Sequence, residues 1–301
     1  MELPVLLDEF KHGNVRALAR CISFVENEVP GYDILLTQLQ PAKLAPVIGF
    51  TGAPGAGKSS LVNALTAHWV KHQKKLAIIA VDPTSPFNFG SLLGDRIRML
   101  EHFNSDQVFI RSMATRGSLG GLCSKIIEVV QVLQCFGFDY ILIETVGVGQ
   151  SEVEIAGVAD TSVVVIVPES GDEVQTLKSG VMEIADVFAV NKSDREGADK
   201  MAINLKKLVH DKPEGWQTPV VNTIATANEG MEELVTAIEA HTAFAHSNER
   251  RAILLAEKAI MLIQQEKVKH FHRKKMEEEI LTLLNQHHFN LYVYVRSKLL
   301  L

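Results

Sequence analysis

Cysteine is scarce in this chain and is never patterned: Cys21, Cys123 and Cys135 are scattered, odd in number, and form no C-x-x-C pair. A disulfide framework and a zinc site of the usual spacing are therefore excluded, and a reducing compartment fits best. Positive charge is not in excess either, because 30 Lys and Arg stand against 36 Asp and Glu, a formal net charge of −6. A field of that sign attracts neither nucleic acid nor an anionic membrane as the main partner, so no nucleic acid and no membrane are expected, and proteins and nucleotides remain. The apolar runs fall well short of the roughly 20 residues that a membrane span requires. The first residues, Met1-Glu-Leu-Pro-Val-Leu-Leu-Asp-Glu-Phe10, carry no basic n-region. The expected location is the cytoplasm, or the mitochondrial matrix if a presequence has been removed.

What the chain does contain is room for one large α/β domain with helical additions, at 301 residues, 47% hydrophobic and 22% charged. Its focal stretch is Gly52-Ala-Pro-Gly-Ala-Gly-Lys58-Ser59, which follows the apolar run Pro46 to Thr51 and precedes a helical pattern from Ser60 to Trp69. Strand, glycine loop, helix is the order in which backbone NH groups turn inward on a polyphosphate, with the positive end of the helix behind them. Gly52, Ala53, Pro54, Gly55, Ala56, Gly57, Lys58, Ser59 and Ser60 are thus the candidate nucleotide-binding residues. Lys58 is placed to reach the outer phosphates, and Ser59 to ligate Mg²⁺. A looser pattern would read as a glycine-rich turn, but every fixed position matches here.

From Pro46 onward, apolar strands alternate with amphipathic stretches, which predicts a mostly parallel sheet with helices on both faces. The expected strands are Val47–Thr51, Leu76–Val81, Gln107–Ile110, Tyr140–Glu144, Ser162–Val167, Val187–Val190 and Val220–Ile224. Ligands of such sheets collect at the carboxyl ends of the strands. Asp82 and Glu144 each terminate an apolar strand there, and Asp95 lies in Gly94-Asp-Arg-Ile-Arg98. All three are candidate holders of Mg²⁺ and its waters. Helix N-caps are the alternative for Asp82 and Asp95. For Glu144 the metal reading is stronger, since a carboxylate that ends a buried strand is unfavourable without a cation. Gly147 is placed to offer a backbone NH to a γ-phosphate.

Asn191-Lys192-Ser-Asp194 follows directly on Val187-Phe-Ala-Val190. A carboxylate at Asp194 accepts two hydrogen bonds from guanine, whereas adenine has no matching pair of donors; guanine should be preferred. Asn191 and Lys192 brace the loop, the Lys stem lying along the base. Thr226, in the stretch 223–227, is a weaker candidate for bringing backbone NH groups to the guanine oxygen. Two further loops, 110–121 and 169–178, are read either as segments that move with nucleotide state or as long surface connections.

The flanks are helical. Leu6, Leu7 and Phe10, then Val15, Leu18, Ala19, Ile22 and Val25, recur at helical spacing, with Asn14 as an N-cap and Pro30-Gly31 as a stop, and a second short helix is expected over 33–40. They are expected to cover the core. After Glu229 the strand pattern ends; residues 229–241 and 248–287 are amphipathic helices, the latter one long helix or a pair, and 267–275 is basic and reads as a solvated face. A helical arm longer than one core can cover predicts a homodimer. The apolar tail 291–301 has no assignment from pattern alone, and His287-His288 lacks the further ligands of a metal site. The expected domains are an N-terminal helical extension over 1–45, a GTPase domain over 46–245 and a C-terminal helical dimerisation arm over 246–301.

Taken in order, Gly52 to Ser59, Val81-Asp-Pro-Thr-Ser85, Gly94-Asp-Arg-Ile-Arg-Met99, Gly117-Ser-Leu-Gly-Gly121, Glu144-Thr-Val-Gly-Val-Gly-Gln-Ser-Glu152, Gly171-Asp-Glu-Val-Gln175 and Asn191-Lys-Ser-Asp194 resemble the MeaB/ArgK/MMAA family of phosphate-loop GTPases. The resemblance runs over nearly the whole chain, Val25-Glu-Asn included. It implies a GTP/GDP-binding, Mg²⁺-dependent hydrolase that serves as a chaperone for an adenosylcobalamin-dependent acyl-CoA mutase such as methylmalonyl-CoA mutase, gating cofactor loading and protecting or reactivating it. It further implies Ser59, Asp82, Asp95 and Glu144 around Mg²⁺, Lys58 on the phosphates, Asp194 on guanine, and a mobile loop with Gln175 and Lys178, whose lysine is associated with stimulated hydrolysis. Gln150 is the candidate for positioning water and Lys178 for stabilising charge. Pro86-Phe-Asn-Phe89 and the tail depart from the family pattern. Two rival functions are a kinase linked to amino-acid transport, for which no acceptor pocket and base are visible, and a GTPase metallochaperone, for which no Cys/His cluster is.

Overall fold

In the computed structural model, the described residues are 3–41, 44–82, 105–114, 122–146, 154–168, 181–209, 215–245, 248–285 and 289–299. Seven parallel strands form one sheet: β1 (Val47–Thr51), β2 (Leu76–Asp82), β3 (Val108–Ala114), β4 (Tyr140–Glu144), β5 (Thr161–Ile166), β6 (Val187–Asn191) and β7 (Val220–Thr223), in the order β3-β2-β4-β1-β5-β6-β7. Strand β1 lies in the middle, with β4 on one side and β5 on the other. The chain leaves β1 towards β2 on one side and reaches β5 on the other, so the crevice beyond Thr51 is where an open α/β sheet of this kind takes a ligand.

Alternation along each strand divides the core. Val47, Ile79, Ile141 and Ile143 face a layer built from helices α1 (Leu3–Lys11), α2 (Val15–Glu26), α3 (Tyr32–Gln38) and α5 (Ile126–Gln134). Their neighbours Ile48, Phe50, Ile78 and Leu142 face α4 (Lys58–Lys71) and α8 (Met231–Ala245) on the other side. A smaller cluster joins Val164, Ile166, Phe188 and Val190 to α7 (Ala198–Leu208). Both faces are therefore covered, which is why the strands read as nearly continuous apolar runs. Asn14 caps α2 as expected, its side chain accepting from the NH groups of Arg16 and Ala17 at 2.9 and 3.3 Å.

At the amino-terminal edge, three aspartates that each stand just before a strand accept a backbone NH at or beside the start of a neighbouring strand. Asp139 accepts from Lys75, Asp160 from Val47 and Asp186 from Ser162, at 2.8–2.9 Å. Asp186 also meets the buried His241 of α8 at 3.2 Å, while the other ring nitrogen lies 2.9 Å from Thr161 Oγ1. Polar groups at this edge are thus paired for structure, as burial requires, and the opposite edge carries the chemistry.

Strand β3 differs from expectation. It runs on through Arg111, Ser112, Met113 and Ala114, residues read above as the start of a polar loop. Arg111 is accommodated because its guanidinium meets Glu26 of α2 at 2.6 Å and donates to Ser23 Oγ at 3.1 Å. Glu26 is the acid of the Val25-Glu-Asn stretch, so that stretch ties the N-terminal helices to the edge strand.

The described residues divide into two compact units, Met1–Leu254 and Leu255–Leu301. The stretch over 248–287 proves to be two helices, α9 (Asn248–Val268) and α10 (Arg273–Asn285), after the four-residue α6 (Val181–Ile184) and the elements above. In the second unit the apolar tail forms a further helix, α11 (Leu291–Leu299). Asn290 caps it by accepting from the NH groups of Tyr292 and Val293. The Tyr294 hydroxyl donates to Glu279 of α10 at 2.8 Å, and Lys298 meets the same carboxylate at 2.6 Å. These two bonds, the Lys298 one first, hold the Glu279 carboxyl below its usual range. No helix among the described residues is long and apolar enough to cross a membrane.

Candidate functional site

The loop after β1 is shaped by two glycines at which a side chain is strained. Gly52 has φ +142°, and a Cβ there would lie 2.1 Å from the Val165 carbonyl oxygen. Gly57 has φ +89°, and its Cβ would lie 2.4 Å from Nδ2 of Asn191. Helix α4 begins at the next residue, so its first NH groups and positive end face the loop. Gly57→Ala should therefore destabilise the protein by about 1–2 kcal/mol from the left-handed backbone alone. Displacement of Asn191 should weaken nucleotide binding in addition; thermal unfolding and a nucleotide titration on the same sample check both.

Lys58 is buried, and its ammonium donates to the carbonyls of Gly52 at 2.8 Å and Ala53 at 3.1 Å. It is thus folded across the loop it serves. Ser59 Oγ donates to Glu144 Oε1 at 2.6 Å, and both residues are buried at 5% and 7% exposure. Together with Pro54, Gly55, Gly57, Ser60, Val81, Thr145, Val146 and Lys192, these residues line a cavity of about 390 Å³. Gly52, Ala53 and Ala56 belong to the loop without being among the residues that line the cavity.

A second cavity, of about 150 Å³, adjoins the first and shares Gly57, Ser60 and Lys192 with it; Asn191, Asp194, Arg195, Ile224, Ala225 and Thr226 complete its lining. Asn191 joins the two. Its Nδ2 donates to the Ala56 carbonyl at 2.9 Å, while its Oδ1 accepts from the Ala225 NH at 3.2 Å and from Thr223 Oγ1 at 3.3 Å. Lys192, at φ +57°, sends its ammonium back to the Gly55 carbonyl at 2.8 Å. The left-handed turn at a lysine is unfavourable. It is held by Ser193, whose NH and hydroxyl both donate to the Thr223 carbonyl at 3.1 Å. Phosphate loop and Asn-Lys-Ser-Asp loop are therefore one bonded assembly.

Of the residues singled out in the sequence, the structure brings together Pro54, Gly55, Gly57, Lys58, Ser59, Ser60, Glu144, Asn191, Lys192, Asp194 and Thr226 around these joined cavities. Asp82 ends β2 opposite Ala114, at the same sheet edge, and its side chain lies outside the described residues. Asp95, Gly147, Gln150, Gln175 and Lys178 also lie outside them. Val81, Val146, Arg195 and Ile224 line the cavities without having been singled out, because an apolar or charged residue beside a strand end carries no signature of its own. Among the described residues, no three of His, Cys, Asp and Glu cluster for a metal. The thiols of Cys21 and Cys135 are pushed up to about 11 by burial, so neither is a ready thiolate.

Comparison with known proteins decides what this site belongs to. The model of the family described as "Methylmalonyl Co-A mutase-associated GTPase MeaB" matches residues 18–279. The chain belongs to the MeaB family of GTPases. A protein of Pyrococcus abyssi designated a GTPase is 45% identical over 286 residues, covering 93% of this chain and 83% of that one. GTPase ArgK of Escherichia coli is 32% identical over 285 residues, covering 91% and 83%. A crystal structure titled as a LAO/AO transport system kinase superposes with a TM-score of 0.70, covering 98% of this chain and 95% of its own; at 23% identity the likeness speaks for the fold alone. The MeaB family member described here is thus a phosphate-loop GTP hydrolase that binds guanine nucleotide.

Proposed function

We propose that this MeaB-family GTPase is Mg²⁺-dependent and acts as a chaperone that gates cofactor loading, and protects or reactivates, an adenosylcobalamin-dependent acyl-CoA mutase of the methylmalonyl-CoA mutase type. The nucleotide half of this reading is carried by the joined cavities, with a buried ammonium and hydroxyl at one end and the Asp194 carboxylate at the other. The client is supported by the family's own description. The chain's residues 1–45 serve as an N-terminal helical extension, 46–245 as the GTPase domain and 246–301 as a helical arm for homodimerisation. Support for the arm comes from α9, where Ile253, Ile260 and Ile263, spaced along one side of the helix, are 59%, 54% and 58% exposed.

Ser59 and Glu144 offer a hydroxyl and a carboxylate, oxygen donors only, which suit a small hard cation. With Asp82 and Asp95 they would hold Mg²⁺, which when bound neutralises charge on the phosphate oxygens. Lys58 exchanges the Gly52 and Ala53 carbonyls for β- and γ-phosphate oxygens. The NH groups at the start of α4, with Gly147, stabilise the charge that develops as water attacks the γ-phosphorus in line and its bond to the β–γ bridging oxygen breaks, releasing GDP and inorganic phosphate. Gln150 positions that water and Lys178 adds charge, both when the partner is bound, so turnover of the isolated protein is slow. Asp194 reads guanine, and Thr226 closes the base site.

The chaperone reading is tested by sizing chromatography with light scattering on mixtures with methylmalonyl-CoA mutase, with GDP or with a non-hydrolysable GTP analogue. Co-elution that depends on the nucleotide is expected, with the protein alone running at twice its chain mass. Independent elution from every such mutase in every nucleotide state would leave a GTPase with another client.

A further inference from the structure

The β1–β4 pair parts at a point that carries an unexplained feature. Strand β1 goes on into the phosphate loop and β4 into Val146, which lines the phosphate cavity. Their backbone ladder ends with the Thr145 NH donating to the Phe50 carbonyl at 3.0 Å. One step further, the Thr145 hydroxyl donates to the Thr51 hydroxyl at 3.1 Å. Thr51 and Thr145 are 0% and 2% exposed. Each immediately adjoins a residue of the nucleotide machinery, Gly52 after Thr51 and Glu144 before Thr145.

For packing alone, two valines would fill these positions. A buried hydroxyl is unfavourable unless it is bonded, and this pair is satisfied only while the strand ends stay together. Movement of the segment after β4 away from the phosphate loop would strand both hydroxyls at once. The pair thus favours one arrangement of the Glu144–Val146 segment, and it does so beside the cavity where the terminal phosphate is expected.

We propose that Thr51 and Thr145 form a hydroxyl clasp that positions Glu144 and the segment after it against the phosphate loop, so that the protein distinguishes GTP from GDP. The clasp rests on the nucleotide site proposed above. Neither threonine touches the reacting atoms; both are positioning residues. The contribution of the clasp is to hold the Ser59–Glu144 arrangement in register for the γ-phosphate end and its metal. The part of the ligand common to GDP and GTP meets the loop NH groups and the Asn191–Asp194 side, which are fixed by bonds of their own through Asn191, Lys192 and Ser193 rather than by the clasp.

The test uses the full chain with Thr51→Val, Thr145→Val, the double variant and Thr145→Ser, reading GDP affinity, affinity for a non-hydrolysable GTP analogue, and single-turnover GTP hydrolysis. Each single valine variant should lower analogue affinity and hydrolysis by about three- to tenfold, the size of one lost neutral hydrogen bond. GDP affinity should stay within a factor of about two, the double variant should be no worse than the singles, as expected of one shared interaction, and Thr145→Ser should restore the parent's behaviour. Equal losses for GDP and the analogue, additive losses in the double variant, or valine variants indistinguishable from the parent would each overturn the clasp. Lys58→Ala in the same assay separates the two readings: if it binds nucleotide like the parent, the site itself fails and the clasp with it.

Discussion

Lys58→Ala should abolish tight GTP binding and reduce hydrolysis on the order of a hundredfold or more. Its ammonium is a buried cation of the phosphate cavity and donates to the Gly52 and Ala53 carbonyls. Those carbonyls are neutral acceptors, so a phosphate oxygen is the stronger partner by charge. Truncation also leaves the carbonyls to the cavity, which disfavours the anion. The measurements are titration with a fluorescent GTP analogue and phosphate release at saturating nucleotide. Wild-type values in both would refute the site.

Asp194→Asn should produce the second large effect, on which base is bound. An ionised carboxylate accepts from two donors on guanine, whereas asparagine presents one acceptor and one donor. Hydrogen bonds to a charged group contribute about 1.5–3 kcal/mol each. Losing one and opposing the other should reduce guanine affinity by about a hundredfold and move preference towards xanthine, whose 2-oxo group accepts from the new amide. Asp194 lines the smaller cavity beside Asn191 and Thr226. The framework around it, Asn191 to Ala56 and Ala225, is unaffected by the change, so the fold should persist. Competition among GTP, XTP and ATP is the check, and unchanged discrimination would remove Asp194 as the reader.

Much of this was legible in the sequence, for identifiable reasons. The seven strands were visible because a parallel sheet covered on both faces makes short apolar runs, and all seven occur at the expected places within a few residues. The phosphate loop and Asn191–Asp194 were visible because glycine, lysine and carboxylate at fixed spacing follow strand ends. Pattern was silent where partners are distant in the chain. The continuation of β3 hid behind the polar Arg111, whose place in a strand depends on Glu26, 85 residues away. The helical tail depends on Glu279 accepting from Tyr294 and Lys298. The Asn191 bridge between loops depends on Ala56, 135 residues earlier. The strand order likewise follows from packing, and no local periodicity encodes it.

The proposed chaperone role is tested most directly by measuring GTP hydrolysis by the purified protein alone and with adenosylcobalamin-dependent acyl-CoA mutases, methylmalonyl-CoA mutase first. Slow turnover alone, raised severalfold or more by one mutase and absent in Lys58→Ala, is the predicted result. Turnover that no mutase changes, at nucleotide and protein concentrations where guanine binding is saturated, would contradict the chaperone role while leaving the hydrolase in place.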